Sequence, residues 1–208
     1  MNKTSRERVI VYIDGYNLHF GLMDNGWRRY LWLNLKAFAQ GMLKQTQSLE
    51  RVKYFTARMS GPSEKQRDQT TYLEALETLD GLDIRYGHFR VQEKTCRKCG
   101  NKTYVPSEKM TDVNIAVEMM RDAFDDNFDT ALLVSADSDL VPPIRAIHEL
   151  NMKRRIVIAF PLRRFSEDLK TTADASFQIG RTAVAHSQFD LEVTKSDGFI
   201  LKRPESWR

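Results

Sequence analysis

Four aspartates and one asparagine stand at the positions of this chain where chemistry is most readily assembled. Asp14 closes the apolar run VIVYID, and Asn17 follows it by three residues. Asp137 and Asp139 follow a second apolar run, in LLVSADSDL, and Asp112 opens the segment TDVNIAVEMMRDA between them. An acid after a strand commonly caps the next helix, and an acid in a first helical turn favours the helix dipole. Both readings stay open for Asp14, Asp139 and Asp112. At about 100° per residue, Asn114, Glu118, Arg121 and Asp122 share one polar arc. Asp112 lies outside it, between Ile115, Met119 and Ala123 on one side and Ala116 and Met120 on the other. A carboxylate aimed toward an apolar side needs a partner, and a cation supplies one. Carboxylates without a Cys/His shell suit hard Mg²⁺ or Mn²⁺, which bind oxygen, activate water and offset phosphoryl charge. That donor set points to phosphodiester chemistry more than to zinc peptidase chemistry.

The elements that must position these residues alternate. Residues 9–13 form a continuous apolar run, as in a strand buried on both faces. Helix-like spacing covers residues 33–45, 63–79, 111–124 and 141–150; strand-like runs cover 52–56, 84–91, 131–134 and 156–160. The alternation implies crossover connections, a parallel sheet and helices on both faces. Ligands in such folds bind at the carboxyl ends of strands. A haloacid-type phosphatase would need a second Asp two positions after Asp14, where Tyr16 stands, and a dinucleotide fold would need a GxGxxG that is absent.

The chain has 208 residues, 41% hydrophobic and 29% charged, enough for one domain without disulfides. No apolar run reaches the roughly 20 residues of a membrane span. The opening MNKTSRERVIVY lacks the apolar region and cleavage site of a signal peptide, so a cytoplasmic address is expected. The net charge of +4 is compatible with a polyanionic partner.

Cys96 and Cys99, in CRKCG, have the spacing of half a zinc knuckle. Four ligands are needed, so His88 could be a third, or a homodimer could assemble an all-cysteine Zn²⁺ site. A plain hairpin with two reduced thiols is the alternative. Arg163 and Arg164 follow the strand-like run 156–160, at the edge expected to carry the acids, where they could bind substrate phosphates beside Phe165. Lys153, Arg154 and Arg155 precede that run, at the opposite edge. Trp32 reads as core, Trp27 and Tyr30 as candidates for a groove, and His19 as a packing or surface residue.

The segments IDGYNLHFGL (13–22), EKMTDVNIAVEMMRDA (108–123) and VSADSDLVPPIRAI (134–147), in this order and spacing, resemble the NYN domain family. That family is a branch of the PIN-like nucleases that includes the bacterial LabA-like proteins. The closing DGFILKRPESW (197–207) is similar to tails seen in it. The resemblance implies a PIN-like three-layer α/β sandwich with a mainly parallel central sheet. It also implies one domain over 1–208, with a CxxC-bearing insertion around 92–107 and a tail over 182–208. It further implies divalent-metal endoribonuclease activity, with Asp14, Asp112, Asp137 and Asp139 as metal-site carboxylates and Asn17 beside them. RNA is the expected substrate, with single-stranded DNA the alternative left open. A catalytically silent module binding RNA or a protein is the competing expectation.

Overall fold

Alternation within the first strand decides the layout. In β1 (Glu7–Asp14) every residue from Val9 onward is buried. Val9, Val11 and Ile13 enter one hydrophobic core and Ile10 and Tyr12 the other, as a period of two requires. A strand buried on both faces needs helices on both faces, and the rest of the chain supplies them. The computed structural model describes residues 6–59, 63–95, 99–150 and 153–208.

The elements run α1 (Gly15–Asp24), α2 (Leu35–Met42), β2 (Gln47–Thr56), α3 (Ser63–Glu77), β3 (Leu82–Tyr86), β4 (His88–Thr95) and β5 (Lys102–Lys109). They continue with α4 (Thr111–Phe124), β6 (Thr130–Val134), α5 (Val141–Glu149), β7 (Arg155–Phe160), α6 (Glu167–Thr172), β8 (Ala175–Gln178), α7 (Arg181–Ala185), β9 (Glu192–Thr194) and β10 (Ile200–Lys202). The central sheet has six parallel strands in the order β3-β2-β1-β6-β7-β8. Residues of α1, α2, α3 and α7 join the core on one face, and residues of α4, α5 and α6 join the core on the other. The expected three-layer α/β architecture is therefore present. The order reverses between β1 and β6, so their carboxyl ends flank the switch-point crevice where open α/β sheets bind ligands.

The expected strand over residues 84–91 is two strands, broken at Gly87. A Cβ there would stand 2.7 Å from both the Lys109 carbonyl and the Thr111 hydroxyl, so only glycine lets the chain pass this close. Beyond it, β4 and β5 form an antiparallel hairpin outside the central sheet. His88 pairs with Lys109 at its base, whereas Thr95 pairs with Lys102 near its tip. Seven residues at about 3.4 Å each separate the two, so His88 is out of reach as a third zinc ligand for Cys99. Cys99 is an exposed free thiol; Cys96 lies outside the described residues.

The C-terminal segment packs inward. Trp207 rests at 71° to Tyr72, with centroids 5.6 Å apart, and against Trp32 at 6.3 Å. Trp32 is fully buried, as its sequence context suggests, and donates its indole N–H to the Asp190 carbonyl. Among the described residues, no helix is long and apolar enough to cross a membrane.

Candidate metal centre at the strand tips

Asp14 ends β1 and caps α1, so the helix-cap reading holds for half of its carboxylate. Oδ1 accepts from the backbone N–H groups of Tyr16 and Asn17 at 3.1 and 3.0 Å. Oδ2 faces the site and accepts from Asn17 Nδ2 at 2.6 Å and Ser135 Oγ at 2.8 Å. Gly15 must follow, because a Cβ would meet the Phe55 carbonyl at 2.6 Å and the Tyr54 ring at 2.8 Å. Asp14 is only 2% exposed, and burial pushes its pKa up against the pull of those hydrogen bonds, with the charge of Asp137 pushing the same way.

Ser135, at the tip of β6, was not singled out from sequence. It is fully buried and bridges the two strand ends, donating to Asp14 and accepting from the Asp137 backbone N–H at 3.1 Å. Its signal lay in the spacing VSADSD, where a small hydroxyl precedes the acids by two residues. Asp137 caps the short 3-10 helix Ser138–Leu140, accepting from the Asp139 N–H at 3.0 Å. Asp139 is exposed at the rim.

Asp112 comes from the first turn of α4, which approaches the same strand tips. It is partly buried, and among the described residues its carboxylate accepts no hydrogen bond. Its pKa is raised to about 6, first by desolvation and then by the charges of Asp137, Asp14 and Asp139. The charges of the other three predicted acids thus reach Asp112 at one edge of the sheet.

In its chemistry the donor set suits a hard divalent cation, being all oxygen, and Asp112 combines desolvation with three like charges. As placed, no three acidic, His or Cys side chains among the described residues stand close enough together to ligate an ion. Asp14 Oδ2 already holds two hydrogen bonds, so binding would require Asn17 or Ser135 to yield one.

Arg164 reaches this edge, with Nη1 at 3.4 Å from Asn17 Oδ1 and Nη2 at 3.3 Å from Asp24. Its guanidinium lies over the Phe20 ring, 5.6 Å from the centroid. Arg163 is exposed, with φ of 56°. Phe165 is exposed but leans on Phe160, with ring centroids 4.9 Å apart. Arg154, at the amino edge, pairs with Asp126. Trp27 and Tyr30 contact each other and the Arg181 guanidinium.

Two residues of the polar arc of α4 are not solvated. Glu118 and Asp122 are buried against Lys53 of β2, whose Nζ is 2.6 Å from each, and Tyr12 donates to Asp122 at 2.6 Å. Burial would raise the Asp122 pKa, but the bonds from Lys53, Tyr12 and Asn127 outweigh it and hold it low. This network fastens α4 to the sheet and so fixes where Asp112 arrives.

Beside the strand tips a cavity of about 690 Å³ opens between α1 and α3. Gly15, Tyr16 and Phe20 border it near the acids, while Tyr54, Tyr72 and Trp207 line it farther in.

The comparisons agree with the architecture. A relative from Pseudomonas putida (strain DSM 28022 / S16), 6-hydroxy-3-succinoylpyridine 3-monooxygenase HspA, is 27% identical over a 174-residue alignment. The alignment covers 67% of this chain and 55% of that relative, so the match spans about half of HspA's length. Among solved structures, a protein of unknown function from Vibrio parahaemolyticus RIMD 2210633 matches with a TM-score of 0.57 at 17% identity. That match covers 87% of this chain and 98% of the other, and it shows a shared fold. The family model of the NYN domain matches residues 8–180, which include all four acids. The chain thus belongs to the NYN domain family, and its fold is of the PIN-like nuclease type.

Proposed function

We propose that this protein is a divalent-metal-dependent endoribonuclease that hydrolyses phosphodiester bonds in single-stranded RNA. The observation that carries the reading is the partly buried Asp112, which among the described residues accepts no hydrogen bond yet feels the charges of three other carboxylates at the switch-point edge. Asp14, Asp112 and Asp137 would hold Mg²⁺ or Mn²⁺, with Asp139 completing the shell or orienting the attacking water. The bound ion supplies an activated water and offsets charge on the phosphoryl group. Asn17, poised between Asp14 and Arg164, holds the Asp14 carboxylate and offers its amide to a substrate phosphate. Arg164 and Arg163 stand where they can meet the flanking phosphates.

Incubation with a mixed RNA pool and Mn²⁺, followed by sequencing of fragment ends, tests the proposal. Internal cuts should require the metal. Asp14→Asn should lose at least about 100-fold in rate, comparable to removing one charge-stabilising group elsewhere, because the swap keeps shape and removes charge. Unchanged cleavage by that variant would end this mechanism. The similarity to HspA supports a second reading, oxidation of a small heteroaromatic compound. Uncut RNA together with oxygen-dependent turnover of a hydroxypyridine would favour it.

A further inference from the structure

The cavity between α1 and α3 is not used by the chemistry proposed above. Its walls are aliphatic and aromatic, and two of the aromatic rings are fixed. The Tyr72 hydroxyl donates to the Leu33 carbonyl at 2.8 Å, and its ring is wedged against Trp207. Walls already held in place lose little entropy when a flat ring slides between them. The volume of about 690 Å³ lies within the range of roughly 300–1,000 Å³ typical of small-molecule sites.

The exposed side of the cavity carries charge. Arg28 and Lys65 border it and, among the described residues, neither has a carboxylate partner. Of the two acids there, Asp24 is matched by Arg164, which leaves Arg28 and Lys65 against the single charge of Asp68. The excess at the mouth is positive. An aromatic slot with a cationic mouth selects a flat ring carrying a negative group, since either feature alone would leave half the site unmatched.

We infer that this cavity binds a planar heteroaromatic ring bearing an anionic substituent, with the ring against Tyr72 and Trp207 and the anion at Arg28 and Lys65. Such a group comes from two sources: a nucleotide of a bound strand, or a free compound such as a pyridine carboxylate. The strand source rests on the nuclease reading. Tyr16 borders the cavity and donates its backbone N–H to Asp14, so a strand with one phosphate on the cation that Asp14 would hold could place a neighbouring base in the slot.

Calorimetric titration of the metal-free full-length protein separates these cases. The probes are uridine 5′-monophosphate, a pyridine carboxylate, and inorganic phosphate as the ringless control. At least one ringed anion should saturate at submillimolar concentration and bind at least about tenfold tighter than phosphate, the ratio set by roughly 1.4 kcal/mol. The tighter of the two identifies the source. Arg28→Glu and Lys65→Glu, both at exposed positions, should each weaken it about tenfold or more, whereas Lys153→Glu, exposed at the opposite sheet edge, should bind it normally. No saturation by either ringed anion at millimolar concentration would overturn the inference. So would phosphate binding equally well, or charge reversals without effect. Because no metal or cleavage enters the readout, the result stands whether or not RNA is cut.

Discussion

At the scale of single residues, Asp112 holds the sharpest information. Its carboxyl carries a pKa of about 6 against an ordinary value of 3.8, for reasons of desolvation and crowding. A raised folded-state value means that the folded chain keeps the proton more tightly than the unfolded chain. Metal-free stability from this group is therefore fully present below 3.8 and is lost as pH rises through about 6. Asp112→Asn should stabilise the metal-free protein above pH 6 and make no difference below 3.8. Since the group is only partly buried, solvent screening reduces the gain to about 1 kcal/mol, or roughly 2–4 °C in a chain of this size. Thermal melts of both proteins across that pH window check it, and a variant that melts lower at neutral pH would contradict the crowding. The helical spacing of Asp112, off the polar arc and between apolar neighbours, already marked it in the sequence. Ser135 was not marked, because a buried serine next to a strand end looks like any small core residue until its partners are known.

At the scale of elements, α4 matters most, and its sequence bounds matched the folded helix. Its polar arc was legible as polar but not as partly buried. What buries it is Lys53, on a strand 65 residues away from Glu118 in sequence, and helical periodicity holds no record of so distant a partner. Lys53→Met should destabilise the fold by about 3 kcal/mol, the low end for breaking a buried ion pair, because Arg121 still reaches Glu118 and Tyr12 still reaches Asp122. Denaturant unfolding measures this, and a loss below about 1 kcal/mol would show that the network is merely tolerated. The parallel strands were legible for a related reason: β1, β6 and β7 are apolar on both faces. A hairpin around the cysteines was among the readings, but its start at Gly87 was not legible, since Gly87 resembles any strand glycine, and the short elements after β7 carry too little periodicity to read. Arg163 and Arg164 were placed correctly by counting past the end of β7, but the bonds of Arg164 to Asn17 and Asp24 depend on how the α1 face packs.

At the scale of the whole molecule, charge is segregated by sheet edge. Arg8 and Arg154 at the amino edge are matched by Asp126 and Asp129, whereas the carboxyl edge presents the acids with Arg163 and Arg164 beside them. Replacing Arg163 and Arg164 with Ala should weaken RNA binding and flatten the log–log salt dependence by about 0.7 per lost phosphate contact. Lys153→Ala removes an exposed charge at the other edge and should change neither; binding isotherms at several salt concentrations read both. Equal effects at the two edges would leave net charge as the only driver. Four acids from β1, α4 and the β6 tip are proposed to hold a catalytic cation together. Crystals grown with Mn²⁺ and examined by anomalous diffraction address it most directly. The account predicts manganese density between Asp14, Asp112 and Asp137, with oxygen ligands near 2.1 Å, and its loss in Asp112→Asn. Manganese bound elsewhere, in a protein that still cleaves RNA, would contradict it.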